Sequence, residues 1–447
     1  MATIVLCTLP LTSSINATLK LAKSLEKRGH RVVFCGMADG EAAVASHGFA
    51  FIPVFEDWFP KGFVDQWVTS KVERRSWRDQ IHCLLAERKK LLQHERYINF
   101  LIQGGYKEFQ TAIRSVAPDL LLVDTALHTY WALMAYRSGV QSVYYSPILP
   151  MSEEPLVPPC NSLLRPGTGW WSRLHVRLAW KQYFARRWLR NKAQLLGGIA
   201  DWVSHLKRLA RACDYPLARF NTRTELMPLL DLPMYVMCPQ AFNFPEAGDK
   251  PRRYYIEASI DLPREEPAFP WQRLHKDKQL IYCSLGSIAS SKLFCQCVID
   301  AVAREPNWQL VMNIGSALMP TDFQGVPEDT ILVRRAPQLA LLRQANVMIN
   351  HGGIGTVKEC LFFGVPQVVF PIYFDQPGAA ARVAYHGLGT VGNFNQTTPD
   401  SVYALLTRVL RDQTIRTRVD AMSRVFQSLE AEQPGIALIE RLLATTP

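Results

Sequence analysis

The sequence predicts an α/β protein made of two doubly wound domains, and three observations support this. Short apolar segments alternate with amphipathic segments in both halves of the 447-residue chain, which is the pattern of parallel strands joined by helices. A stretch rich in proline and charge, residues 241–279, separates the two halves. In the second half, a glycine-rich turn at residues 351–356 joins an apolar strand to a helix.

The predicted strands of the first half are short and apolar. They comprise residues 3–9, 31–35, 51–54, 120–123 and 141–145. Residues 15–28 form the first predicted helix, because apolar residues such as Ile15 and Leu19 recur on one face. The first strand is not followed by the GxGxxG motif of dinucleotide-binding folds, which argues against a dehydrogenase. We therefore predict a first domain at residues 1–240.

The second half repeats the pattern after the connection at residues 241–279. Apolar strands are predicted at residues 280–285, 308–313, 330–333, 347–349 and 367–370. Amphipathic helices are predicted at residues 356–363, 401–410, 416–427 and 435–444. Residues 280–428 form the predicted second domain, and residues 429–447 carry a last helix that could return to the first domain.

The composition argues against a membrane-spanning protein. The chain is 48% hydrophobic, yet it has no run of about 18 apolar residues. The N-terminus lacks a basic leader and a cleavage site, so it is interpreted as the first strand. The ten cysteines are scattered without metal-binding spacing, and Cys7, Cys35 and Cys283 fall in predicted strands. Buried free thiols of this kind predict a cytoplasmic protein.

The net charge of +11 is concentrated in residues 165–223, which contain thirteen Lys or Arg residues. Tryptophans are interleaved with them, and Trp171, Leu178 and Leu189 share one predicted helical face. Such a helix could lie peripherally on the inner membrane surface. Packing of its apolar stripe on its own domain is the slightly favoured alternative. No nucleic-acid-binding motif accompanies the charge, so nucleic acid is not an expected partner.

The turn from His351 to Thr356 predicts an anion site. Its glycines, including Gly353 and Gly355, let the backbone turn tightly between a strand and a helix. Free backbone N–H groups and the positive end of the helix then converge on one point. The side chains of His351 and Thr356 can donate to the same anion, such as a diphosphate.

Groups that can bind sugar hydroxyls follow this turn. Glu359 lies one turn into the predicted helix, and Asp375 and Gln376 follow the next strand. A purely structural turn would need only the glycines. The polar side chains that follow them in a fixed order therefore favour a binding site for a diphosphate that carries a polyol.

This order of residues resembles the donor signature of the UDP-glycosyltransferase superfamily: HGGxGT, a glutamate three residues later, GVP, and DQ after a strand. Upstream, the segment Arg335-Ala336-Pro337-Gln338 is similar to the base-and-ribose segment of that family, although an aromatic residue usually occupies the first position. The resemblance implies the GT-B fold, in which two facing doubly wound domains hold the active site between them. It also implies that Ser287, after the first strand of the second domain, contacts the phosphates.

Residues 375–389 look more like the carotenoid (zeaxanthin) glucosyltransferase branch, which shares DQP, AAR and YxGLG. The pattern as a whole resembles bacterial macrolide and zeaxanthin-type glucosyltransferases most. Ala379 departs from the asparagine that many other members carry. The resemblance suggests a hydrophobic acceptor.

The expected catalytic base is missing from the first domain. Inverting members of the family usually carry Gly-His after the first strand, but this chain has Ser14 at the histidine position. Asp124, at the end of a predicted strand, matches the aspartate that orients that histidine. Asp124 could act as the base with a raised pKa, and His128 is a second candidate. A third route needs no base, because the acceptor itself could be acidic.

The sequence therefore predicts an inverting glycosyltransferase that moves a hexose, by default glucose, from a UDP-sugar to a hydrophobic small molecule. No metal or other cofactor is expected, and a ribose diol bound by Glu359 would favour UDP over TDP. Two alternatives remain: a donor-binding auxiliary protein with little or no turnover, motivated by Ser14, and a sugar-nucleotide 2-epimerase, disfavoured by the large aromatic N-terminal half.

Overall fold

The structure, a computed structural model, describes residues 1–63, 92–93, 95–126, 129–196, 202–286 and 291–445. In this part of the chain, two parallel sheets with helices on their faces form two α/β halves. The fold class predicted from the alternating pattern is confirmed.

The strands of the first half are β1 (Thr3–Cys7), β2 (Arg31–Gly36), β3 (Ala50–Pro53), β4 (Leu120–Asp124), β5 (Ser142–Ser146), β6 (Phe220–Asn221), β7 (Leu229–Leu230), β8 (Met234–Val236) and β9 (Arg253–Tyr255). Seven of them form a parallel sheet in the order β3-β2-β1-β4-β5-β8-β9, and β6 and β7 form a small antiparallel pair. The helices are α1 (Thr12–Lys27), α2 (Glu41–Ala45), α3 (Tyr106–Arg114), α4 (Thr129–Ser138), α5 (Trp170–Leu196) and α6 (Trp202–Ala212).

The strands of the second half are β10 (Gln279–Ser284), β11 (Trp308–Asn313), β12 (Ile331–Val333), β13 (Val347–Asn350), β14 (Gln367–Val369) and β15 (Gly389–Val391). They form a parallel sheet in the order β12-β11-β10-β13-β14-β15. The helices are α7 (Lys292–Val302), α8 (Gln338–Leu342), α9 (Ile354–Phe363), α10 (Gln376–Tyr385), α11 (Pro399–Arg411), α12 (Gln413–Glu432) and α13 (Pro434–Ala444).

Both sheets reverse their strand order at one point. In the first sheet this switch lies between β1 and β4, and in the second between β10 and β13. Ligands of open α/β sheets bind in the crevice beyond the carboxyl ends of the strands at such a switch. The loops after these four strands are therefore the places to look for a site.

The connection between the halves contributes structure of its own. Arg253–Tyr255 lies inside the stretch predicted as a connection, yet it pairs in parallel with β8 and forms the edge of the first sheet. The prolines lie outside this three-residue pairing, so they do not remove a ladder hydrogen bond.

The last helix, α13, packs on the first half of the molecule. Ile436 and Ile439 are buried in a cluster with Ile4 and Leu19. The N–H of Gly435 donates to Glu257 at 2.8 Å. The preceding helix α12 adds an ion pair between Lys20 and Glu430. The C-terminal segment therefore holds the two halves together.

Helix α5 contradicts one expectation from the sequence. The stripe that contains Trp171, Leu178 and Leu189 was favoured to pack on its own domain, but all three side chains are exposed. The helix is instead anchored by Val176 and Trp180, which are buried on another face. A helical wheel identifies an apolar stripe but does not determine which of two stripes faces the protein. Among the described helices, none is long and apolar enough to cross a bilayer.

Candidate functional site

The turn after β13 is fixed by buried polar groups and close packing. Asn350 is fully buried, and its Oδ1 accepts from the Gly352 N–H at 2.7 Å. Its Nδ2 donates to Gln367 on the neighbouring strand at 2.9 Å. Gly352 has φ +82°, and a Cβ at this position would lie 3.0 Å from Gln376 O and from Val369. The backbone must therefore turn here with no side chain.

The start of α9 leaves backbone donors available. Its N-cap residue, Gly353, has no side chain to cap the helix, so the N–H groups of the first turn have no partner within the helix. Among the described residues, a Cβ at Gly355 would meet nothing within 4 Å, so none of them blocks the approach to these donors at that position. Thr356 lies in the same turn and is only partly buried. This end of α9 can bind an anion.

The imidazole of His351 lies between two glycines. A Cβ at Gly286, which has φ +80°, would approach its Cε1 to 2.8 Å, and one at Gly353 would approach its Nε2 to 2.6 Å. Burial lowers the pKa of His351 to about 4, so the ring is neutral near pH 7. Its buried Nδ1 has no hydrogen-bond partner among the described residues. Ser287, predicted to follow β10 and contact the phosphates, lies outside the described residues.

Glu359 is buried and already has two donors. Its Oε1 accepts from Arg264 at 2.6 Å, and its Oε2 accepts from the side-chain amide of Gln338. Gln338 and Glu359, predicted as ribose-binding residues from separate segments, are therefore in direct contact. Arg264 comes from the connection between the halves, and the motif spacing gave no signal for it.

A second residue of the connection, Glu266, caps the segment predicted to bind base and ribose. Its carboxylate accepts from the N–H groups of Leu339 and Ala340 at 2.6 and 2.9 Å, at the start of α8. Ala336 packs against the core beneath this segment. Arg335, at the position where relatives carry an aromatic ring, is exposed. A guanidinium there can stack on a base.

Asp375 and Gln376 lie at the start of α10. Gln376 is buried, and its Oε1 accepts from the N–H groups of Ile372 and Tyr373 at 2.9 and 3.0 Å. The oxygen therefore fixes the loop, and the amide Nε2 is the end left to donate to a ligand. Burial raises the pKa of Asp375 to about 6. The loop is strained, because Phe374 has φ +63°.

Helices α9 and α10 are bound directly to the first half. Lys358, adjacent to Glu359, is buried, and its Nζ donates to the carbonyls of Met237, Ala258 and Pro147 at 2.7, 3.2 and 3.3 Å. In α10, the N–H of Gly378 donates to Cys160 O at 2.6 Å. These contacts fix α9 and α10 against the first half.

On the first-half side, Asp124 ends β4 and is fully buried. Its Oδ1 accepts from the Ala126 N–H at 2.8 Å. Its buried Oδ2 has no partner in the described part of the chain. Burial raises the pKa of Asp124 to about 7. A carboxyl group with this pKa can exchange a proton near neutral pH.

Ser14 lies in the first turn of α1, after β1, and is 8% exposed. It therefore belongs to the same switch point of the first sheet as Asp124. His128, the other predicted candidate for the base, lies outside the described residues. A small, largely apolar cavity lies between β5 and the segment before β8, and its lining includes Thr125, Leu149 and Met227.

Known proteins that are similar to this chain include glycosyltransferases. A family model described as "Erythromycin biosynthesis protein CIII-like, C-terminal domain" matches residues 298–434. The zeaxanthin glucosyltransferase of Pantoea ananas is 25% identical over 443 residues, which cover 98% of this chain and 95% of that protein. The demethyllactenocin mycarosyltransferase of Streptomyces fradiae is 24% identical, covering 99% of this chain and 87% of that protein.

Two solved structures have the same fold over almost their whole lengths. The calicheamicin glycosyltransferase CalG4 superposes with a TM-score of 0.67 at 20% identity, covering 99% of this chain and 98% of that one. The glycosyltransferase of kitacinnamycin gives a TM-score of 0.66 at 22% identity, with 98% of each chain covered.

Proposed function

From the premise that this chain is a glycosyltransferase of the UDP-glycosyltransferase type with the GT-B fold, we propose that it transfers glucose from UDP-glucose to a hydrophobic small molecule with inversion at the anomeric carbon. The observation that carries the proposal is the contact between Glu359 and Gln338 beside the open start of α9. It supports the proposal because groups that could bind a ribose lie next to backbone donors that could bind a diphosphate. The acceptor oxygen would attack the anomeric carbon, the bond to the diphosphate would break, and the acceptor proton would pass to a base.

The direct test is a mass-spectrometric screen of hydrophobic alcohols, phenols and carboxylic acids with UDP-glucose. We expect a glycosylated product whose mass is that of the acceptor plus one hexose minus one water, with UDP released in equal amount. Binding of UDP without transfer or donor hydrolysis across a broad panel would instead favour the auxiliary-protein alternative. The full burial of Asp124 and the serine at position 14 are the observations that motivate this alternative.

We propose that protein groups alone stabilise the leaving diphosphate. The donors are the backbone N–H groups at the start of α9, the neutral imidazole of His351 and the hydroxyl of Thr356. Oriented dipoles of this kind stabilise developing negative charge. Turnover should therefore change by less than about twofold in excess EDTA, whereas enzymes that need a metal to bind the diphosphate lose nearly all activity. Loss of activity that added Mg²⁺ restores would contradict the proposal.

The donor nucleotide is proposed to be UDP because Glu359 can accept from both ribose hydroxyls, of which thymidine diphosphate has one. A TDP-deoxysugar is the second candidate. A spinosyn rhamnosyltransferase with the same fold has been solved with thymidine diphosphate, but at 17% identity its likeness supports the fold only. Calorimetric titration with UDP and TDP distinguishes the two donors. Equal affinities would mean that the second ribose hydroxyl does not determine which nucleotide binds.

We also propose Asp124 as the base, with Ser14 beside the acceptor. The Asp124 Oδ2, which has no partner among the described residues, and the pKa of about 7 support this assignment. A cytoplasmic location is proposed as well, since eight of the nine free cysteines in the described residues are buried, as unoxidised core thiols are.

A further inference from the structure

Helix α5 has one face that is fixed to the protein. Val176 and Trp180 are buried, and the indole N–H of Trp180 donates to Val157 O at 2.8 Å. On the same side, Tyr183 donates to Glu225 O and Arg187 donates to Thr224 O, each at 2.7 Å. These contacts determine which way the helix faces, so its opposite side is presented to solvent.

That opposite side carries an apolar stripe. Trp171, Leu178 and Leu189 are 59%, 49% and 61% exposed. They are separated by seven and eleven residues, and both spacings return to within about 20° of the same side of a helix. Trp170 and Trp188 add two more exposed rings at the edge of the stripe, at 63% and 58%. A run of large exposed apolar side chains of this kind marks an interaction surface.

The same helix is strongly and one-sidedly charged. Residues 170–196 contain no Asp or Glu. Six of their basic side chains are exposed and form no ion pair in the described structure: Arg173, Arg177, Lys181, Arg186, Arg190 and Lys192. Lys181 and Lys192 lie on the side of the stripe towards Trp188, and the ammonium of Lys192 lies 5.7 Å from that ring. The surface is thus apolar at its centre and cationic around it.

We propose that α5 docks on a bilayer that contains anionic lipid, with the Trp171, Leu178 and Leu189 stripe at the depth of the headgroups. Cations on both sides of an apolar stripe suit a helix that lies in the interface, because arginine and lysine pair with lipid phosphates while tryptophan and leucine enter the acyl boundary. A helix of 27 residues offers about 40 Å of such contact. Nucleic acid would satisfy the charges but would leave the leucines in water.

This docking would also bring lipid close to the crevice. The segment that Trp180 anchors continues to Cys160, whose carbonyl accepts from Gly378 at the start of α10. Delivery of a hydrophobic acceptor from the bilayer is a consequence that rests on the proposed function. The docking itself does not, and it is tested without donor or acceptor.

The experiment is sedimentation of the full chain with vesicles of phosphatidylcholine alone and of phosphatidylcholine with phosphatidylglycerol at about 7:3. We expect at least tenfold tighter binding to the anionic vesicles, weakened by salt, because each surface lysine or arginine contributes roughly 1 kcal/mol near such a membrane. The triple substitution Trp171→Ser, Leu178→Ser and Leu189→Ser should reduce that affinity about tenfold or more, because the acyl contact is lost.

A matched control changes two exposed apolar residues of the other half, Trp271→Ser and Leu293→Ser, and should bind within about twofold of the parent, since neither lies on the proposed surface. Brominated lipid should quench the tryptophan fluorescence of the parent but not that of the triple variant. Absence of binding to anionic vesicles, or equal binding by a folded triple variant, would overturn the proposal. So would tighter binding to a DNA duplex that the triple substitution leaves unchanged.

Discussion

The proposed donor site in the second half and the proposed acceptor site in the first half differ in how their polar groups are used. On the donor side, Glu359 is paired with Arg264 and Gln338, and the oxygen of Gln376 holds a loop. On the acceptor side, Asp124 keeps one buried oxygen without a partner in the described residues. A paired group positions a ligand, whereas an unpartnered buried carboxyl has a raised pKa and can transfer a proton. Under the proposed function, the first arrangement suits binding of the donor and the second suits proton transfer.

The largest expected effect tests the acceptor side. Asp124→Asn should reduce kcat by about 100-fold or more at unchanged UDP affinity, because a lost general base costs roughly 10²–10⁴ in rate. In the parent, turnover should fall as the pH drops below about 7, where Asp124 becomes protonated. Rates across pH 5–9 and calorimetry with UDP measure both effects. Asp214→Asn, at an exposed carboxylate of the same half, is the control.

Stability separates a catalytic role of Asp124 from a structural one. Burial raises its pKa from 3.8 to about 7, so its protonated form favours folding. That contribution is complete below about pH 4 and is lost as the pH rises through about 7. Asp124→Asn should therefore unfold at a higher temperature than the parent at pH 8. A variant that is stabilised yet fully active towards a true acceptor would show that the carboxylate is no base.

The second largest effect is expected on the donor side. His351→Ala should weaken UDP binding by roughly 1.5–3 kcal/mol, about 10–100-fold, because a hydrogen bond to a charged phosphate is lost. Calorimetry with UDP measures the loss. His275→Ala, at an exposed histidine of the same half, should bind as the parent does. Unchanged affinity in His351→Ala would place the diphosphate elsewhere.

The strand–turn–helix geometry of the segment after β13 could be predicted from the sequence because its residues are contiguous. The residues from His351 to Glu359 lie in one turn and one helix, so their spacing alone brings them together. Arg264 and Glu266 could not be predicted in the same way, since they reach Glu359 and α8 only through the path of the connection. Likewise, a helical wheel of α5 identifies the apolar stripe that is exposed in the structure. It does not identify the second stripe, around Val176 and Trp180, which packs on the protein.

A smaller effect concerns discrimination between nucleotides. Glu359→Gln should reduce the affinity for UDP about tenfold and that for TDP less, because TDP lacks one hydroxyl that the carboxylate would accept from. Glu265→Gln, an exposed carboxylate beside Arg264, should leave both affinities unchanged. Parallel calorimetric titrations of the parent and the variants give the ratio of UDP affinity to TDP affinity. An equal loss for UDP and TDP would mean that Glu359 acts by holding Arg264 and Gln338 and not by binding the ribose.

The smallest expected effect comes from restoring the family's base. Ser14→His should raise turnover towards simple alcohols by up to about tenfold, less than a base usually contributes, because Asp124 already provides part of that function. The gain depends on Asp124 orienting the new imidazole through its unpartnered Oδ2. The double variant Ser14→His with Asp124→Asn should therefore lose the gain, a non-additivity that a double-mutant cycle on kcat measures. Additive effects in a folded double variant would show that the two positions act separately, and Asp124 would then have no role in positioning a base at residue 14.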